Sequence, residues 1–103
     1  MPVKRDVAEG LLLQGAEEIV PYTLTTTRWV SAPGVVTVKA YDLTAAGADV
    51  TSTVLSGSPS TAGDVISLPL VQALVAGHRY RVDVKFTAGA GTYEAQIFIQ
   101  GEE

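Results

Sequence analysis

"YRVDVKFTAGAGTYEAQIFI", Tyr80 to Ile99, is the stretch that decides the fold. In its first half Tyr80, Val82, Val84 and Phe86 alternate with Arg81, Asp83 and Lys85, a period of two that puts one set on each face of a strand. In its second half Tyr93, Ala95, Ile97 and Ile99 alternate with Glu94, Gln96 and Phe98. Between the halves, glycine-rich "TAGAGT" supplies the permissive backbone of a hairpin loop. With the loop at Ala88 to Gly91, Phe86 faces Tyr93, Val84 faces Ala95, Val82 faces Ile97 and Tyr80 faces Ile99. Every apolar residue then meets an apolar one, and a slip of one residue would turn the whole set outward.

Working outward, the rest of the chain is also strand-like, rich in Val and Thr and punctuated by 10 Gly and 5 Pro. Upstream, "LVQALVAG" fits one or two helical turns stopped by Gly77. "DVISLPL" places Ile66 and Leu68 on one face, and "SGSPSTAG" before it reads as a polar loop tip. A short strand is expected near Val50 to Leu55. "VVTVKAY" alternates cleanly, but either of its faces could be the inner one. In "EEIVPYTLTT" Val20, Tyr22 and Leu24 share a face, and the phase is lost before Trp29, where a kink or bulge is expected. The first segment, Val3 to Gln14, carries "DVAE", a helix capping box, yet Gly10 and Gly15 interrupt it and an extended arm is the favoured reading. The prediction is an all-β chain: residues 1–14 as an N-terminal arm, then residues 15–103 as a single immunoglobulin-like β-sandwich of about seven strands.

Composition removes several functions. With 103 residues, one domain is expected, large enough for a core of its own. The absence of cysteine excludes disulfides, thiolate nucleophiles and Cys-based zinc sites. A net charge of −4 argues against a nucleic-acid partner, which would call for a basic surplus. No apolar run approaches the roughly 18 residues of a membrane-spanning helix, and "MPVKRDVAEG" lacks the apolar core of a secretory signal. A soluble protein made in a cytoplasm is expected.

The candidate chemistry is thin. His78 is the only histidine, and just after Gly77 it reads as an exposed turn residue rather than a general base. Asp42, Asp49 and Asp64 fall at strand–loop junctions, where aspartate commonly caps local backbone. They lack the dense oxygen alternation of a calcium loop. "AGAG" lacks the lysine and following helix of a phosphate loop. No catalytic residue, metal or cofactor is expected. The outward row Arg79, Arg81, Asp83, Lys85 is more informative, because the hairpin register sets Phe98 opposite Arg81 on the polar face. Arg79, Arg81 and Phe98 are therefore the candidate interface, unless the arm or a loop covers Phe98 within the same chain.

"LVAGHRYRVDVKF" follows the pattern Leu-x-x-Gly-x-x-Tyr-x-Val-x-Val and resembles fibronectin-III and related sandwiches. That resemblance implies a tyrosine corner built by Leu74, Gly77 and Tyr80, the tyrosine hydroxyl bonding back to upstream backbone. Through "EIVPYTL", "TRWV", "PGVVTVKAYD", "ADVTSTVLSG", "GDVISLPL" and "QGEE" the whole chain is similar to small β-sandwich virion proteins of tailed phages, of the fibre–tail adaptor or head–tail accessory type. This implies a non-enzymatic structural or adaptor role, located in the virion, with other virion proteins and copies of itself as partners. In that role the arm could be deleted without unfolding the domain. A carbohydrate-binding or adhesion sandwich is the alternative, with Trp29, Tyr22, Tyr41 and Tyr93 as the rings available to it.

Overall fold

The computed structural model describes residues 4–26 and 32–103, with residues 4–11 described as backbone only. The chain is all-β apart from one helical turn. In order, its elements are β1 (Lys4–Gly15), β2 (Thr23–Thr25), β3 (Gly34–Asp42), β4 (Ala48–Asp49), α1 (Thr51–Val54), β5 (Leu55–Ser56), β6 (Ser60–Ala62), β7 (Val65–Ser67), β8 (Leu70–Val71), β9 (Arg79–Ala88) and β10 (Gly91–Glu102). There are thus ten described strands rather than about seven, because short pairings of two or three residues are counted beside the long ones.

The strands form a five-stranded sheet ordered β1-β10-β9-β3-β4, a three-stranded sheet β2-β7-β6 and a two-stranded sheet β5-β8. The β9–β10 hairpin has the register read from its alternation, Phe86 opposite Tyr93 through Tyr80 opposite Ile99. Its inner residues Tyr80, Val82, Val84, Phe86, Ala95, Ile97 and Ile99 are buried in the core. Leu24, Val54, Ile66, Leu68, Val71 and Leu74 close that core from the other side. Burying each such aliphatic or aromatic side chain contributes about 1.5–3 kcal/mol before chain entropy is charged against it. Pairing with β9 resolves the face of β3: Val38 and Ala40 point inward, Lys39 and Tyr41 outward.

Three local expectations differ from the structure: the loop tip "SGSPSTAG" holds the short strand β6, which pairs with β7, and the other two concern α1 and "LVQALVAG". The strand expected near Val50 begins instead as the turn α1. Asp49 Oδ1 accepts from the Thr51 backbone N–H at 3.0 Å and hydroxyl at 2.7 Å, and the Thr51 hydroxyl oxygen accepts the Ala40 N–H at 2.9 Å. Such short-range bonds offer the backbone an alternative to a ladder and outweigh β-propensity. Conversely, "LVQALVAG" forms no helix. The Gln72 N–H bonds to Val54 O at 2.9 Å and Ala73 sits at a φ of 53°, off any right-handed helical path. The kink expected before Trp29 falls outside the described residues.

The first segment is a strand, not a capped helix. β1 runs parallel to β10, from Lys4 opposite Glu94 to Gly15 opposite Glu102, with a register shift between Asp6 and Leu11. The boundary expected between residues 14 and 15 lies inside this strand, and Gln14 is one of its anchors. Its amide nitrogen donates to Val71 O at 2.8 Å and Glu18 O at 3.1 Å, and its carbonyl accepts the Tyr22 hydroxyl at 2.9 Å. A fully buried amide is retained here because each of its polar atoms is partnered.

Candidate functional site: the outward face of the large sheet

β9 and β10 bury every second residue, so the intervening residues form the outer face of the large sheet. Along β10 these are Glu94, Gln96, Phe98, Gln100 and Glu102; along β9, Lys85, Asp83, Arg81 and Arg79. The register brings Arg81 opposite Phe98, as the alternation predicts, and Arg79 opposite Gln100. β3 adds Tyr41 opposite Arg81 and Lys39 opposite Asp83. β1 adds Leu13 opposite Gln100.

Arg81 is held by two contacts. Its Nε lies 3.0 Å from Asp83 Oδ1, two residues along the same face. Its guanidinium carbon stands 5.0 Å above the centre of the Tyr41 ring, a cation–π contact worth about 0.5–1 kcal/mol at a surface of this kind. These contacts fix the guanidinium beside Phe98. Phe98 itself is half-buried and lies outside the buried core. Arg79 has a looser partner, Gln100 Oε1 at 3.4 Å, and the Gln100 amide donates to Glu102 Oε2 at 3.2 Å.

The end of β1 completes the face. Leu13 alternates with the buried Gln14 and is 63% exposed, a large apolar side chain standing in solvent. At Gly15 the same alternation points the Cβ direction outward, and a Cβ placed there would lie 3.1–3.4 Å from Glu18 side-chain atoms. The Glu18 carboxylate therefore folds over this face, where its Oε1 accepts the Gly15 N–H at 2.7 Å. The result is a graded surface: acidic at Glu18 and Glu102, apolar at Leu13 and Phe98, basic at Arg79 and Arg81. Arg79, Arg81 and Phe98 were legible from the hairpin. Leu13, Glu18 and Tyr41 were not, because each joins the face through pairing with a distant strand or through a turn.

Leu74, Gly77 and Tyr80 come together elsewhere, at the entry to β9. The Tyr80 hydroxyl accepts the Val75 N–H at 2.8 Å, five residues upstream, which is the hydrogen bond of a tyrosine corner. Leu74 is buried, and Gly77 takes a φ of 84°, a conformation that favours glycine. Gly101 matters as well: a Cβ there would collide with the Val75 carbonyl. Burial pushes the Tyr80 phenol above its ordinary value, opposed by the Val75 bond and reinforced by the Asp42 charge.

His78 is not the bare turn residue its position suggests. Its Nδ1 lies 2.7 Å from Oδ2 of Asp42, whose side chain is 7% exposed. A carboxylate only accepts, so Nδ1 is the donor in this bond. Asp42 Oδ1 also accepts the Thr44 and Ala45 N–H groups, at 3.0 and 3.1 Å. The pair thus ties the end of β3 to the turn before β9. Asp49 is engaged with Thr51, which holds its carboxyl below the ordinary value chiefly through the Thr51 N–H, and Asp64 Oδ1 accepts the Ala32 N–H at 2.8 Å. Among the described residues no group of three or more His, Asp or Glu side chains is arranged to hold a metal ion. No described helix is long and apolar enough to cross a membrane.

No protein-family model matches the chain, and no curated protein matches it.

Proposed function

We propose that this chain is a non-enzymatic structural or adaptor protein of a tailed-phage virion, acting through protein–protein contacts with copies of itself and with other virion proteins. The single observation that carries the reading is the outward sheet face, where a fixed arginine, a half-buried phenylalanine and an exposed leucine lie together. Arginine and aromatic residues in one patch are the composition of interface anchors. The resemblance of the strand sequences to small virion sandwiches supplies the setting. β1, at the edge of the large sheet, is a second element that a neighbour could extend by backbone pairing.

The carbohydrate-binding alternative needs a platform of free aromatic rings, and three of its four candidates are otherwise occupied. Tyr22 bonds to Gln14, Tyr93 stacks on Phe86 at 5.9 Å, and Tyr41 lies under Arg81; Trp29 falls outside the described residues. The test is native mass spectrometry of the purified chain over rising micromolar concentration, with negative-stain imaging of the product. A closed oligomer of defined mass is expected, and a glycan array should stay blank. A monomer at every concentration would count against the assembly reading.

A further inference from the structure

We propose that the outward face of the large sheet is the two-fold interface between two copies of this chain, an inference that rests on the self-association just proposed and names its surface. The chain carries a net charge of −4, so two copies repel at long range except where a basic patch is presented. This face presents one. Lys85 stands opposite Glu94, and Lys39 stands opposite Asp83, the residue paired with Arg81. Among the described residues Arg79 has the neutral Gln100 as its side-chain partner, at 3.4 Å. Arg81, though paired with Asp83, is locked above Tyr41 with its position fixed beside Phe98.

The acidic complement lies on the same face, not on another part of the molecule. Glu102 follows Gln100 outward along β10, and Glu18 folds over Gly15 next to it. Gln100 lies between the acidic corner and the arginines, bonded to Arg79 on one side and Glu102 on the other, with Leu13 across from it on β1 and Phe98 two residues along β10. A patch with acid at one end and base at the other is self-complementary under a two-fold rotation. The rotation sets Arg79 and Arg81 of one copy against Glu18 and Glu102 of the other, twice, about an axis near Gln100 with Leu13 and Phe98 flanking it. A head-to-tail arrangement would need the complement on an opposite surface. The placement of both charges on one face therefore favours the isologous dimer, which covers the 63% exposed Leu13.

The experiment is a charge-reversal exchange read by sedimentation velocity. Arg79→Glu with Arg81→Glu makes both corners acidic, and Glu18→Arg with Glu102→Arg makes both basic. Each variant alone should dimerise about tenfold or more weakly than the parent. Mixed together they should recover the parent's affinity as a heterodimer, because both corners then meet opposite charge. Arg79→Glu alone, which leaves the Arg81–Asp83–Tyr41 contacts in place, and Leu13→Asp should each weaken the parent dimer while circular dichroism shows an intact fold. A parent that is monomeric throughout overturns both this interface and the assembly reading. A parent oligomer indifferent to these reversals, or a mixture that fails to pair, overturns the interface and leaves the assembly reading standing.

Discussion

The Tyr80 hydroxyl is the polar tip of a ring buried in the core, and the Val75 N–H is its partner at 2.8 Å. Tyr80→Phe keeps the ring and removes only the acceptor, leaving that N–H unpaired at a closely packed turn. The bond is part-buried and its loss costs about 0.5–1.5 kcal/mol, so urea denaturation should show a stability lowered by that amount, seen as a lower midpoint with an unchanged slope. This residue was legible because its role has a local signature, Leu-x-x-Gly-x-x-Tyr. His78, two positions away, was not. Its partner Asp42 lies 36 residues back along the chain, and no local pattern announces the pairing. The face of β3 was ambiguous for a related reason. Val36, Val38 and Ala40 alternate with Val35, Thr37, Lys39 and Tyr41, a set that also carries apolar and aromatic surface, and pairing with β9 chooses between them.

At the scale of elements, β1 is the strand whose role local patterning hides most. Parallel pairing requires no turn residues and links segments far apart in sequence, so nothing within "KRDVAEGLLLQG" points to β10. The hairpin is the opposite case, with its register written in adjacent alternation. The consequence for β1 is measurable. Gln14→Ala removes the amide that serves Val71 O, Glu18 O and the Tyr22 hydroxyl, and should cost about 2 kcal/mol in urea denaturation. Deleting residues 1–14 removes Gln14 together with most of the strand that covers the β10 edge. That truncation should destabilise the domain by more than the point substitution, rather than leave an independent fold as a dispensable arm would. A truncated protein with the parent's urea midpoint would show that β1 contributes nothing to stability.

For the whole molecule, the tyrosines set an alkaline limit. Burial raises the Tyr22 phenol above its ordinary 10.0, with the Glu18 charge adding to the effect, and burial raises Tyr80 in the same direction. Both groups keep their protons in the folded state at a pH where the unfolded chain has begun to lose them. The contribution is fully present below 10.0 and is lost as pH rises from there through the folded values. Stability followed by urea should therefore fall above that point, and Tyr22→Phe should flatten part of the decline; tyrosinate absorbance should show two rings titrating late. The same architecture also sets an order of events. β1 and β10 join residues 87 to 90 positions apart, so β1 stays without this neighbour until β10 has left the ribosome. The large sheet closes only after synthesis of β10, making its completion a late, slow step in the life of each newly made chain.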